Sequence, residues 1–244
     1  MKIGYGGGAI ADYPWNQPSS LNDEQILNLY KVVTDVFNLR MKFIDTASRY
    51  GGGMSEKIIG DVFNIFNQKF NSERYFPFLT TKIELGTVEQ MLESLCKSIA
   101  RLGGLPDCLL LHNPDFGKGP LLAEACTWLV KRVRIIGIPH VGISTEPTEE
   151  AKFLYEDFDL DAIQFPFSWK DQRALRTMKW VRGGKIKYKF VNRILGGPTE
   201  GGWNLDDLNM AFKFLKEYPE FFDVALVGTT NVEHLKQLIA LAEG

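Results

Sequence analysis

Strand-like and helix-like segments alternate along the whole chain, and this order narrows the fold more than any other feature. Strand candidates lie at 3–8, 41–47, 76–82, 107–112, 133–138 with 140–144, 161–167, 185–192 and 223–229. Helix candidates lie at 22–39, 55–67, 87–102, 121–133, 148–155, 172–181, 206–216 and 231–242. Alternation of this kind implies parallel strands joined by helical crossovers. Eight units in 244 residues average about 30 residues each, the size of one strand-plus-helix repeat. Eight repeats close into a (β/α)8 barrel, so the expectation is one barrel domain over 1–244 with short loops. A doubly wound open sheet is the alternative.

Local signals support these boundaries. Asn22 with Gln25, and Thr87 with Gln90, read as capping boxes. Ile26, Leu29, Val33 and Phe37 mark one helix face, Ile58, Ile59, Val62 and Phe66 a second, and Leu92, Leu95, Ile99 and Leu102 a third. The run DCLLLH (107–112) is almost wholly apolar, as a strand covered on both faces should be. The loop-rich stretches are 9–21, 113–120 and 193–204.

Composition removes several classes of function. The net charge of −2 lacks the basic excess of a nucleic-acid binder or a polybasic membrane-surface protein. No apolar run nears the ~20 residues that span a bilayer, and the opening MKIGYGGGAIADYP is unlike a signal peptide. Three cysteines without a CxxC suit reduced thiols in the cytoplasm, with Cys108 and Cys126 as small core residues. GYGGGA (4–9) matches a dinucleotide fingerprint formally, but Pro14 opposes the helix that fingerprint needs. His112, His140 and His234 lie far apart with no ligand spacing, so no metal site is expected. Ser144 lacks the GxSxG setting of a nucleophile, and the alternating KIKYK (185–189) reads as a half-exposed strand.

In such a barrel the active site forms at the C-terminal strand ends. Asp45 ends the second strand, with Tyr50 five residues beyond; Lys82 ends the third and His112 the fourth. Alone, each has an ordinary explanation as a cap, a packed ring, a solvated lysine or a core histidine. Together they suit proton transfer. A neighbouring ammonium favours tyrosinate, a carboxylate holds that ammonium, and a neutral histidine orients a carbonyl oxygen. The set fits carbonyl reduction, and because none of the four can supply hydride, a nicotinamide cofactor is required.

These residues resemble the aldo-keto reductase family. FIDTASRYGGGMSEKIIG (43–60) is similar to its Asp-Thr-Ala…Tyr-Gly…Ser-Glu…Gly signature. TTKI around Lys82, SIARLGGLPDCLLLH (98–112), VGIS (141–144), DAIQF (161–165) and VALVGTTNVEHL (224–235) follow in family order. The resemblance implies Tyr50 as general acid/base, Lys82 as the group lowering its pKa, Asp45 as the partner of Lys82, and His112 as the orienting residue. It also implies that Ser144 and Gln164 meet the nicotinamide carboxamide, although Thr145 stands where the family usually has asparagine. Asn192, Leu195 and Gly196 in the seventh loop, and Gly228, Thr229, Thr230 and His234 in the eighth, would meet the rest of the cofactor. The family habit is NADP(H) over NAD(H), yet Thr229 and His234 stand where many members carry Lys and Arg. Lys236 is the nearest replacement.

Tyr13, Trp15 and Trp169 are candidates for lining a substrate pocket or for anchoring loops. The expected substrate is a small aldehyde, ketone or sugar-like carbonyl. Family members are usually longer, so an open mouth and a lightly clasped cofactor are expected. A non-catalytic cofactor-binding or regulatory barrel of the same fold and a Schiff-base lyase acting through Lys82 are the competing readings.

Overall fold

A computed structural model of the chain describes residues 1–11, 21–69, 75–146, 148–177, 179–183, 185–196 and 204–243. The strands are β1 (Ile3–Gly6), β2 (Phe43–Asp45), β3 (Phe78–Ile83), β4 (Cys108–His112), β5 (His140–Ser144), β6 (Ala162–Pro166), β7 (Tyr188–Asn192) and β8 (Val224–Val227). Each pairs in parallel with its sequence neighbours, and β8 pairs with β1 to close the barrel. After the short turn α1 (Gly8–Ala11), the outer layer comprises α2 (Asp23–Asn38), α3 (Met54–Lys69), α4 (Val88–Leu102), α5 (Gly119–Trp128), α6 (Arg134–Ile136), α7 (Glu149–Asp157), α8 (Arg173–Thr177), α9 (Leu205–Lys216) and α10 (Val232–Glu243). Both capping boxes form, at α2 and at α4.

Strand alternation sorts side chains into two cores. Residues such as Ile44, Leu109, Leu111, Val141, Ile143 and Ile163 face the helices and join the main core with Val33, Phe37, Ile59 and Leu95. The opposite parity fills the barrel, where Phe43, Phe78, Cys108, Leu110, Ala162, Tyr188, Phe190, Val224 and Leu226 pack together. Phe78 and Tyr188 stand 4.6 Å apart, centroid to centroid, within this plug. Glycine lets the strands approach closely: a Cβ on Gly142 would lie 1.6 Å from the Ala162 carbonyl oxygen of the neighbouring strand. Asp45, Lys82, His112, Ser144, Gln164 and Asn192 share the interior parity, one step above the plug. The strand register therefore gathers them at one end of the barrel.

The other end is fastened by a repeated device. Asp107, Asp161 and Asp223 precede β4, β6 and β8. Each carboxylate accepts the main-chain N–H of the second residue of the preceding strand: Leu79 at 2.8 Å, Val141 at 3.0 Å and Lys189 at 2.8 Å. Each aspartate's own N–H donates back to that residue's carbonyl. The two bonds lock the register of three strand pairs.

Two local expectations are corrected. Residues 133–138 are not strand: a π-helical turn at Leu129–Val133 continues into α6, which Gly137 ends in the left-handed region at φ 111°. Their apolar run misled because Ile135 and Ile136 are exposed. The buried face of α4 is Met91, Leu95, Ser98 and Leu102, and Leu92 is exposed. Spacings of three-four-three and four-three-four both fit a helix, and only packing separates them. Among the described residues, no helix is long and apolar enough to cross a membrane.

Candidate active site

The site begins with the chain leaving β2. Thr46 and Ala47 are buried, and the chain then turns tightly at Tyr50–Gly53 before α3. Gly51, Gly52 and Gly53 have φ of 58°, 62° and 98°, a succession of left-handed residues that other side chains adopt only with strain. The turn is braced from below. Ser55 Oγ donates to the Gly7 carbonyl at 2.9 Å and accepts from Thr46 Oγ1 at 2.8 Å. Glu56 is fully buried, accepting from Thr81 Oγ1 at 2.7 Å and pairing with Arg101 at 3.0 Å. The Arg101 guanidinium lies directly over Gly53, where it occupies the space a Cβ would take. Tyr50 is thus presented at the barrel mouth from a short, fixed loop.

Lys82 is completely buried. Its Nζ donates to Asp45 Oδ2 at 2.7 Å and to the Thr46 carbonyl at 2.8 Å, and lies 3.4 Å from the Tyr50 hydroxyl. Burial opposes charge on this amine, but the field of Asp45, with that of Tyr50, outweighs it and raises the lysine pKa. Lys82 is therefore a held ammonium rather than the free amine a Schiff base needs. An ammonium this close to a phenol favours the phenolate.

His112 stands edge-on to Tyr50, with ring centroids 5.7 Å apart at 87°. Burial lowers its pKa, helped by the charge of Lys82, while Glu84 opposes the shift. The ring is neutral near neutral pH. Its Nδ1 is buried and lies 3.4 Å from Glu84 Oε1 without an aligned hydrogen bond. Contact with His112 holds the Glu84 carboxyl below its usual range, and Arg49 adds to this from 3.8 Å.

The remaining interior residues join the same assembly. Gln164 Nε2 donates to Asp45 Oδ1 at 2.9 Å, and Gln164 Oε1 accepts from Ser144 Oγ at 2.8 Å and from Asn192 Nδ2 at 3.3 Å. Asn192 Oδ1 is buried with no partner. Asn113 and Arg193, which follow His112 and Asn192, have φ of 46° and 50°, a local strain typical of functional sites. A cavity of about 250 Å³ lies beside the mouth, lined by Leu195, Leu205, Leu208, Gly228, Thr229, His234, Gln237 and Leu238.

The structure brings Asp45, Tyr50, Lys82 and His112 together, with Ser144, Gln164 and Asn192 behind them. It gathers Leu195, Gly228, Thr229 and His234 around the cavity. Thr230 lies beside that wall in the eighth loop, and Gly196, at φ 81°, packs against Lys170. Trp169 packs partly buried against the helix-side core, with the Lys170 ammonium over its ring. Tyr13 and Trp15 lie outside the described residues. Among the described residues, no three His, Cys, Asp or Glu gather to hold a metal.

Sequence reasoning missed Glu84, and gave no role to Ser55, Glu56 or Arg101. Glu84 follows Lys82 by two residues and shares its parity, a signal that was available. The Glu56–Arg101 pair joins two helices; both residues lie in segments that resemble the family's, but nothing in the sequence pairs them.

A model of the aldo/keto reductase family matches residues 2–179. The fold is similar to that of an aldo-keto reductase from Bacillus halodurans in its holo form, at 14% identity and a TM-score of 0.77, covering 100% of this chain and 87% of that one. It is similar to a glycerol dehydrogenase from Gluconobacter oxydans at 16% identity and a TM-score of 0.75, covering 99% and 86%. It is also similar to an aldo/keto reductase from Klebsiella pneumoniae in complex with NADP and acetate, at 18% identity and a TM-score of 0.73, again covering 99% and 86%. None of the curated proteins matches the chain.

Proposed function

The chain belongs to the aldo/keto reductase family of NAD(P)H-dependent carbonyl oxidoreductases, and we propose that Tyr50 is the proton donor and acceptor of its reaction. The observation that carries this reading is the buried Lys82 ammonium, set between Asp45 at 2.7 Å and the Tyr50 hydroxyl at 3.4 Å. Asp45 keeps Lys82 charged, and Lys82 stabilises the tyrosinate left when the proton departs. Tyr50 gives that proton to the carbonyl oxygen during reduction and takes it back during oxidation. Neutral His112 donates a hydrogen bond to the same oxygen and orients it. The proposed substrate is a small aldehyde, ketone or sugar-like carbonyl; a glycerol dehydrogenase is among the similar folds.

The residues present suit a nicotinamide dinucleotide. When bound, it supplies the hydride that the side chains cannot. The unpaired Asn192 Oδ1, beside Ser144 and Gln164, is matched to an amide donor such as the carboxamide. Leu195, Gly228, Thr229 and His234 would hold the distal portion, with Thr230 and Gly196 at its margin. NADP is the ligand of one similar structure, and we propose NADP(H) as the cofactor. Among the described residues, no lysine or arginine lines the cavity, so its advantage over NAD(H) is expected to stay within about tenfold, roughly 1.4 kcal/mol. Three free cysteines support placing the protein in a reducing compartment such as the cytoplasm. Titration of tryptophan fluorescence with NADPH and with NADH tests the reading. Quenching by both, with NADPH the tighter, is expected; quenching by neither would overturn it.

A further inference from the structure

Asp45 has two carboxylate oxygens, and each has its own partner. Oδ2 meets Lys82; Oδ1 accepts from Gln164 Nε2 at 2.9 Å. Gln164 is fully buried, and Asp45 is nearly so. The orientation of the Gln164 amide is fixed from the other side, since its oxygen accepts from Ser144 and from Asn192. An amide whose oxygen takes two donors must aim its nitrogen at the carboxylate. Strands β5, β6 and β7 thereby brace a side chain that belongs to β2, across the barrel.

We propose that Gln164 is a positioning residue for proton transfer: it holds Asp45 in place and takes up part of its charge, so that the Lys82 ammonium acts on Tyr50. This rests on the reading of Tyr50 given above. It differs from the carboxamide contact that family resemblance implies for Gln164.

The argument is electrostatic. Without the Gln164 donor, Asp45 Oδ1 is a buried oxygen without a partner. The carboxylate charge then falls more fully on Lys82, and the negative field at Tyr50 grows. The Lys82–Tyr50 contact, at 3.4 Å, is the longest of the three that Nζ makes, and is the first to lengthen as the ammonium is drawn toward Asp45. Both effects disfavour tyrosinate.

The test reads Tyr50 directly, with no cofactor or substrate present. Tyrosinate absorbance is titrated against pH, and the Tyr50→Phe protein is subtracted. In a Gln164→Met background, Tyr50 is expected to titrate about one pH unit higher, equivalent to a tenfold loss of tyrosinate at a given pH. Gln164→Glu keeps the oxygen for Ser144 and Asn192 but sets a second carboxylate against Asp45. It gives a second variant should the first fail to fold, and a larger upward shift is expected. An unchanged Tyr50 titration in the folded variant overturns the proposal, whatever happens to cofactor affinity. If carbonyl turnover were absent from the wild type while the titration still shifted, the catalytic reading would fail and the coupling would stand.

Discussion

Replacing Lys82 by methionine removes a cation from a position with no exposure to solvent and leaves the Asp45 carboxylate, 4% exposed, with only the Gln164 amide. Breaking a buried ion pair on one side typically costs about 3–5 kcal/mol, mostly through the charge left behind. For a chain of this size each kcal/mol lowers the melting temperature by about 2–4 °C, so Lys82→Met should lose roughly 6–20 °C. Asp45→Asn should also destabilise, by less, because a buried lysine can shed its proton. The double variant, Lys82→Met with Asp45→Asn, leaves no buried charge, and the amide introduced at position 45 can still bond Gln164. It should recover to within about 2 kcal/mol of the wild type while remaining inactive, a coupling of about 3 kcal/mol in the cycle. Urea unfolding followed by tryptophan fluorescence measures all four proteins. Two single variants within 1 kcal/mol of the wild type, or a double variant losing the sum of both, would refute the claim that Asp45 and Lys82 are coupled as a buried ion pair.

Other consequences are open to simple assays. At pH 8 a thiol reagent should label Cys96 quickly and reach Cys108 and Cys126 only after unfolding. Both are buried, the Cys108 thiol is pushed well above its usual range and that of Cys126 to about 12; mass spectrometry showing either labelled in the folded protein would contradict the packing. Gly142→Ala should cost more than about 3 kcal/mol or abolish soluble expression. The obstacle to its Cβ is backbone on the adjacent strand, and a normal melting temperature would count against the barrel register. Glu56→Ala should lose about 2–3 kcal/mol, a smaller cost than for a fully buried pair because Arg101 is partly exposed. It should also slow turnover by loosening the Tyr50 turn, so full stability with full activity would remove Glu56 from that role.

Much of this was readable because barrel parity and strand ends follow from pattern alone. The residues Asp45, Lys82 and His112 each close an apolar run, so their convergence followed once eight parallel strands were counted. The three strand-opening aspartates stood in plain view as DCLLLH, DAIQFPF and DVALVGT, but their clip across the strand pair needed coordinates. Residues 133–138 looked like strand because exposed isoleucines on a helix end give the same apolar run. The Gln164–Asp45 bond was hidden for a different reason. It joins residues 119 positions apart in the chain, and strand order alone gives no amide its orientation.

The most direct measurement compares NADPH oxidation by the wild-type and Tyr50→Phe proteins across a panel of small aldehydes and ketones, with NADPH affinity measured in parallel. The loss of one hydroxyl should lower turnover by about a hundredfold or more and leave the cofactor affinity nearly intact. A Tyr50→Phe protein that turned over a good substrate at the wild-type rate would contradict the assignment of the proton to Tyr50.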